Sequence, residues 1–349
     1  MLTPVVTSAA IITTDKCSAA CEECCFLCNP KNKNMLTLDK MKTFIDDIEK
    51  NLKTVQLIVF TGGEATLLGS NLFAAIKYAN SKNFSTRIVT NGWWAKNEKQ
   101  AVRMVDKFIQ AGLTEINFST GDNHQQWIDL NTIINACYAS TTRGLLTVVN
   151  IEAFDKAKFT INDFFENERI KLLYSQLEDE KLLQVISSPW VSINEQKNFT
   201  HCDININNDV EGCDSILNYV GLNEQGEISA CCGLTQRKIS EMNLSKMYPN
   251  NSIKSMLNKQ NKDLLKIWIW VDGPKTIYDT LLKFNSTLKR NVKFVHVCEY
   301  CAALYNNDEI KKTLLNYLTE KRILEILNKY HLKMYYQNEI IAKQGGNKK

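Results

Sequence analysis

Six times along the chain an apolar, β-branched run of strand length appears, and between these runs lie stretches whose apolar residues recur at spacings of three and four. The runs are Thr7 to Thr14, Val55 to Thr61, Thr86 to Asn91, Glu115 to Thr120, Leu145 to Ile151 and Leu183 to Ile193. The intervening stretches are Leu38 to Asn51, Leu72 to Ala79, Lys99 to Ala111, Gln126 to Tyr138 and Ile161 to Tyr174. Met41, Phe44, Ile45 and Ile48 illustrate the helical period. Strand and helix in repeated alternation dictate a parallel sheet with crossover helices. Six units predict an open, partial (β/α)6 barrel rather than the closed eight-unit form, with functional residues just past the carboxyl ends of strands.

Those strand ends carry the unusual residues. Between Cys17 and Cys28, directly after the first run, stand five of the chain's twelve cysteines. The apolar runs are too short to span a membrane and no secretory signal pattern is present, so a cytoplasmic setting with reduced thiols is expected. The net charge of +4 is dispersed, which gives no basic stripe for nucleic acid. Metal ligation is then the expected use of the thiols. Cys17, Cys21 and Cys24 form CxxxCxxC, enough to hold three irons of a 4Fe-4S cube and leave the fourth open. Cys21, Cys25 and Cys28 offer a second register. The first is preferred because the strand ends at Thr14 and the loop begins at once. Zinc is the alternative, since CEEC and CFLC are both CxxC pairs.

The second run ends in FTGGEATLL, placing Gly62, Gly63 and Glu64 at the strand end, where glycines admit close backbone approach and a carboxylate can bind an ammonium group. CxxxCxxC followed by GGE on the next strand resembles the radical S-adenosylmethionine (SAM) enzymes. That resemblance, over about Thr7 to Ile193 by the strand count, implies that the open iron chelates SAM, that the GGE segment contacts its amino group, and that reductive cleavage releases a 5'-deoxyadenosyl radical. The remaining strand ends supply polar groups suited to a cofactor: Asn91 in RIVTNGWW, Ser119, Asp122 and His124 in EINFSTGDNHQQW, and Asn150 in LLTVVNIEAF. Asn-Gly also serves as a turn, and Asp122 or His124 also serves as a helix cap. Trp93 and Trp94 read as packing.

A second thiol set follows. Cys213 precedes a hairpin pattern, YVGLNEQGEISACC, which brings in Cys231 and Cys232, and Cys298 and Cys301 add a CxxC. Cys213, one of the Cys231 and Cys232 pair, Cys298 and Cys301 would complete a four-thiolate site, which could hold zinc; it resembles the auxiliary-cluster domains of radical SAM peptide-modifying enzymes, which implies one auxiliary 4Fe-4S cluster. Adjacent residues on a strand face opposite ways, so one member of the CysCys pair is expected to stay free. The whole pattern is similar to the epipeptide-type radical SAM peptide epimerases. It implies that Cys232 donates a hydrogen atom, that Cys231 is a ligand, that two 4Fe-4S clusters and SAM are the cofactors, and that the substrate is a ribosomally made precursor peptide. A flavodoxin or ferredoxin would supply electrons. Related cysteine-paired enzymes cross-link peptides by thioether or carbon–carbon bonds, which is the alternative activity, and a zinc-stapled binding protein is the alternative without catalysis. Glu23 stands where many relatives have His or an aromatic residue.

The expected organisation is a radical SAM partial barrel over 1–195, a small auxiliary-cluster domain over 196–306 and a helical segment over 307–349. Cys25, Cys28, Cys137 and Cys202 default to small buried residues. With about seven residues before the first strand, no leader-binding domain is expected at the amino end.

Overall fold

The computed structural model describes residues 3–154, 156–189, 212–247, 252–289, 294 and 296–346. Its first half alternates as β1 (Ser8–Ile12), α1 (Leu38–Asn51), β2 (Leu57–Thr61), α2 (Ser70–Ser81), β3 (Ser85–Thr90), α3 (Glu98–Ala111), β4 (Glu115–Thr120), α4 (Asp122–Gln125), α5 (Leu130–Thr141), β5 (Leu146–Ala153), α6 (Ile161–Glu166), α7 (Glu168–Ser175) and β6 (Leu183–Pro189). Adjacent strands from β1 to β6 pair in parallel. This is the expected partial α/β barrel. The later part of the sixth run, to Ile193, and Cys202 lie outside the described residues.

One helix starts later than the sequence pattern suggests, and another is divided where the pattern reads as continuous. Asp129 accepts a hydrogen bond from the Asn131 amide at 2.8 Å and starts α5 afresh after the short α4. Asn167 separates α6 from α7 and accepts from the Arg169 amide at 3.1 Å. Short polar side chains satisfy the free amides of a new helix, so capping overrides the apolar period at both places.

The second half is β7 (Tyr219–Leu222), β8 (Glu227–Ser229), β9 (Asn243–Lys246), α8 (Ile253–Gln260), α9 (Leu264–Asp272), α10 (Pro274–Phe284), α11 (Val297–Asn306), α12 (Asp308–Tyr317) and α13 (Glu320–Gly346). The hairpin forms as expected around Asn223, whose Oδ1 accepts from the Gln225 and Glu227 amides. It is not a separate auxiliary unit, however. β7 pairs in parallel with β1 and the strands form one nine-stranded sheet, β6-β5-β4-β3-β2-β1-β7-β8-β9. The reason lies in β1, whose inner residues are buried and whose second edge would otherwise leave backbone groups unpaired.

Packing follows the sheet. One apolar cluster runs from Phe44, Phe60 and Phe118 through to Val220, Leu222, Ile228 and Met256. A second joins Ile216 and Ala230 to α9–α13, with Trp270, Leu304 and Tyr330 inside it. The carboxyl-terminal pattern is thus a helix pair, and α13 returns to the start of the chain, where Gln337 accepts from the Val5 amide at 2.9 Å. Among the described residues, no helix is long and apolar enough to cross a membrane.

Candidate active site

The thiol loop leaves β1 through a closed neck. Thr14 bridges Met35, Lys16 bridges Asn29, and the Asp15 carboxylate accepts from the Asn34 amide at 2.9 Å. Cys17 to Cys28 are therefore held as a compact loop at the carboxyl end of the sheet. The next strand end locks against it: the Gly63 amide donates to the Thr14 carbonyl at 2.7 Å and the Glu64 amide to the Lys16 carbonyl at 2.9 Å. A Cβ on Gly63 would stand 2.2 Å from the Lys16 carbonyl oxygen, and one on Gly62, whose φ is +134°, 2.5 Å from that of Thr14. The glycine pair is what allows backbone to meet backbone here.

Glu64 sits elsewhere than the sequence suggests. It is fully buried, and its carboxylate accepts from the Thr66 amide and hydroxyl, the Thr90 hydroxyl and the Asn91 amide. Burial pushes its pKa up against these bonds. The side chain joins the ends of β2 and β3 instead of standing open to a ligand. Asn91 then reaches the thiol loop, donating to Ser18 Oγ at 3.0 Å and to Cys17 Sγ at 3.5 Å. Trp93 and Trp94 pack and donate to Thr66 and Thr90, as expected of structural residues.

Cys17, Cys21 and Cys24 lie within electrostatic reach of one another. Burial raises Cys17 to about 11 and Cys21 to about 12. Cys24 is lowered to about 6, first by a hydrogen bond from the Cys28 side chain, and the Cys28 amide donates to its sulfur at 3.4 Å. Cys25 also lines the cavity, and beyond Cys24 its charged neighbours are Arg237 and Cys298 of the second half.

A cavity of about 620 Å³ opens beside this loop, lined by Gly62, Gly63, Asn91, Ser119, His124 and Asn150 from the strand ends and by both sets of thiols. Ser119 and Asn150 are direct partners across β4 and β5. Asn150 Oδ1 is buried and has no hydrogen-bond partner among the described residues, as fits a group kept for a ligand. Asp122 does not line the cavity; its carboxylate accepts from the Lys158 and Phe159 amides at 2.6 and 3.1 Å and fixes the loop after β5. Glu152 is the residue the sequence reading missed. It lines the cavity almost fully buried, 3.5 Å from His124 Nδ1, and accepts from the Asn123 amide. Alternation from Asn150, two residues back on the same strand, points to it.

The second set is assembled from three separate segments. Cys213 precedes β7, Cys231 and Cys232 follow β8, and Cys298 and Cys301 occupy the first turn of α11. Cys231 and Cys232 do not close the strand, because β8 ends at Ser229 where the register with β9 shifts. Their separation comes from the loop instead: Cys231 Sγ accepts from the Gly233 amide at 3.0 Å, whereas Cys232 is exposed. Cys213, Cys231, Cys298 and Cys301 feel one another's charge, and burial raises all four, Cys298 to about 11. Among the described residues no three His, Cys, Asp or Glu side chains converge as a single metal ion requires. A cube takes each thiolate at a different iron, so its ligands surround a volume rather than a point.

Arg237 links the two halves. It holds Glu224 through two hydrogen bonds of 3.0 and 2.7 Å and lies 5.6 Å from the centre of the Phe26 ring, in the thiol loop.

Residues 11–123 match the family model described as the Radical SAM superfamily. A curated relative named "Putative peptide biosynthesis protein YydG", from Bacillus subtilis (strain 168), is 23% identical over 311 residues, 86% of this chain and 93% of that protein. Two solved structures of anSMEcpe are also similar. "Native anSMEcpe with bound AdoMet and Cp18Cys peptide" gives a TM-score of 0.51 at 12% identity, covering 90% of this chain and 99% of that one. "Native anSMEcpe with bound AdoMet" gives 0.52 at 12% identity, covering 92% and 99%. Residues 11–123, which hold the thiol loop after β1 and the glycine pair after β2, are thus similar to the Radical SAM superfamily, and the α/β fold is similar to that of the anSMEcpe structures.

Proposed function

We propose that this chain modifies a ribosomally made peptide by radical chemistry and inverts residues from L to D. A peptide substrate is supported by the name of the Bacillus relative and by the fold shared with a protein solved with AdoMet and a peptide. Inversion rests on one observation, the place of Cys232: an exposed thiol in the wall of the cavity that the SAM-site thiol loop also lines.

Cys17, Cys21 and Cys24 would hold a 4Fe-4S cluster, which together with SAM would supply the radical chemistry that removes a Cα hydrogen from the peptide. The chain's own residues do the rest. Ser119 and the free Oδ1 of Asn150 orient the cofactor's polar groups, Gly62 and Gly63 let the β2 end lock against the thiol loop, and Asn91 fixes that loop. Glu64 and Asp122 act by position, through the loops they hold. A thiol with an ordinary cysteine pKa is protonated at neutral pH, so Cys232 carries a hydrogen it can give. Cys232 gives that hydrogen atom to the opposite face of the Cα radical: the S–H bond breaks, the new C–H bond forms, and sulfur is left one electron short. A proton from water and one electron from a ferredoxin- or flavodoxin-type donor restore the thiol.

Cross-linking is the second reading, and the nearness of Cys232 to Cys213 and Cys231 favours it. A Cys232 that ligates iron has no hydrogen to give, and the peptide radical would then bond to another side chain whose X–H bond breaks, its proton passing to water and one electron to an oxidised ferredoxin- or flavodoxin-type acceptor. Reaction in deuterated water separates the two. Inversion adds about one mass unit per altered residue, since the thiol hydrogen exchanges with solvent; cross-linking removes two hydrogens and leaves no label at Cα. Cys232→Ala should retain SAM cleavage and lose the label. A product two hydrogens lighter from the intact enzyme would refute inversion.

A further inference from the structure

Two buried polar groups behind the second thiol set take no part in the chemistry above. Lys266 lies in α9 within the run LLKIWIWVD and is only 4% exposed. Lysine is almost never so buried unless paired. Its Nζ donates to the Glu241 carbonyl at 2.7 Å and forms a loose ion pair with Asp263, whose oxygen at 3.7 Å is beyond hydrogen-bond range, so the ammonium keeps a donor to spare. Tyr305 lies one helical turn beyond Cys301 in α11 and is 6% exposed. Its hydroxyl is buried with no hydrogen-bond partner among the described residues. A lone hydroxyl in such a place is costly.

Both groups are within electrostatic range of the same two sulfurs. Lys266 is close enough for its charge to act on Cys301 and to be acted on by Cys231. Tyr305 is close to both as well, and Cys231, Cys301 and Tyr305 belong to one packed cluster. An ammonium with a spare donor and an orphaned hydroxyl, converging on thiols, are completed by an anion carried on those thiols.

We infer that Lys266 and Tyr305 are positioning residues for an iron–sulfur cluster on the second thiol set, donating to its anionic sulfurs and favouring its more negative, reduced state. This rests on the reading that the set holds a cluster. Reduction adds one electron and no bond changes, so a fixed positive charge and a hydrogen bond at the sulfurs both raise the potential.

The test is a potentiometric titration, followed by electron paramagnetic resonance, of the full chain with both clusters reconstituted anaerobically. Lys266→Met should keep its iron and lower the second cluster's midpoint by about tenfold in the reduction equilibrium, which for one electron is about 59 mV. Lys266→Arg should restore most of it. Tyr305→Phe should shift the same midpoint down by less, and the SAM-binding cluster should not move. Loss of the second cluster in Lys266→Met but not in Lys266→Arg would also support the inference. If both lysine variants lose the cluster, Tyr305→Phe decides. Full iron with unchanged midpoints in Lys266→Met and Tyr305→Phe would overturn it. So would a wild-type chain holding only one cluster, an outcome that leaves SAM cleavage and the solvent-label experiment standing on their own.

Discussion

The two thiol sets face one cavity but are built in opposite ways. The first is a single loop of twelve residues, closed at its neck by the Lys16 and Asn29 bridge and the Asp15 and Asn34 pair. The second takes Cys213 and Cys231 from either side of a hairpin and Cys298 and Cys301 from a helix start far along the chain. A local loop keeps its ligands together through backbone bonds of short range. A dispersed set depends on the sheet edge at β7 and on the packing of α9–α13. Damage should therefore stay local in the first set and spread through the fold in the second.

The largest effect tests the division of labour. Replacing Cys17, Cys21 and Cys24 together by Ala should abolish SAM cleavage and remove about four of about eight irons, the content of one cube of two. Cys298→Ala should remove the other four and spare SAM cleavage, read as deoxyadenosine released. Cys25→Ala and Cys28→Ala should do far less. Loss of SAM cleavage in Cys28→Ala but not in Cys17→Ala would mean the register is Cys21, Cys25 and Cys28.

Next is the clamp between the sets. Glu224 is 1% exposed at its side chain and Arg237 24%, so Arg237→Met leaves a carboxylate buried without its partner. Breaking such a pair costs about 3 kcal/mol, measurable by denaturant unfolding. If the sets are independent, the loss will be in stability alone; if the clamp aligns them, product will fall more than SAM cleavage does.

A smaller, sharper contrast lies in two glycines. Gly63→Ala forces a Cβ against the Lys16 carbonyl and should cost about 1–3 kcal/mol, with loss of the first cluster. Gly233→Ala puts its Cβ 2.9 Å from Cys298 Sγ and 3.1 Å from Cys231 Sγ, and should weaken the second cluster. Each variant should spare the other site. Iron content and the two resonance signals distinguish them.

How much of this was legible in the sequence follows from range. α1 and β4 fall on the expected residues, because a strong apolar period meets a cap or a strand end. The thiol loop and glycine pair were legible for the same reason: adjacent strand ends in a parallel sheet put close together what lies near in the pattern. The roles of Glu64 and Asp122 were not, since a carboxylate at a strand end can face a ligand or bind the next loop's amides, and only tertiary contacts decide. Nor was the union of β7 with β1 legible, because a hairpin pattern carries no mark of the edge it will join. Lys266 and Tyr305 sit inside ordinary amphipathic helices and become conspicuous only through what surrounds them.

The smallest effect concerns Phe26. Its ring lies under the Arg237 guanidinium, 5.6 Å from centre to carbon, and is the contact by which the clamp reaches the first thiol loop. Phe26→Leu keeps an apolar side chain there and leaves the bonds between Arg237 and Glu224 intact. It removes only the attraction of a cation for an aromatic face, about 0.5–1 kcal/mol at a partly exposed site. Both clusters should load fully and SAM cleavage should be unchanged. What should change is the coupling: in a double-mutant cycle with Arg237→Met, the two losses should add to less than their sum by about the value of that contact. Strict additivity would mean that Phe26 and Arg237 merely lie near each other, and that the two thiol sets are joined by the sheet alone.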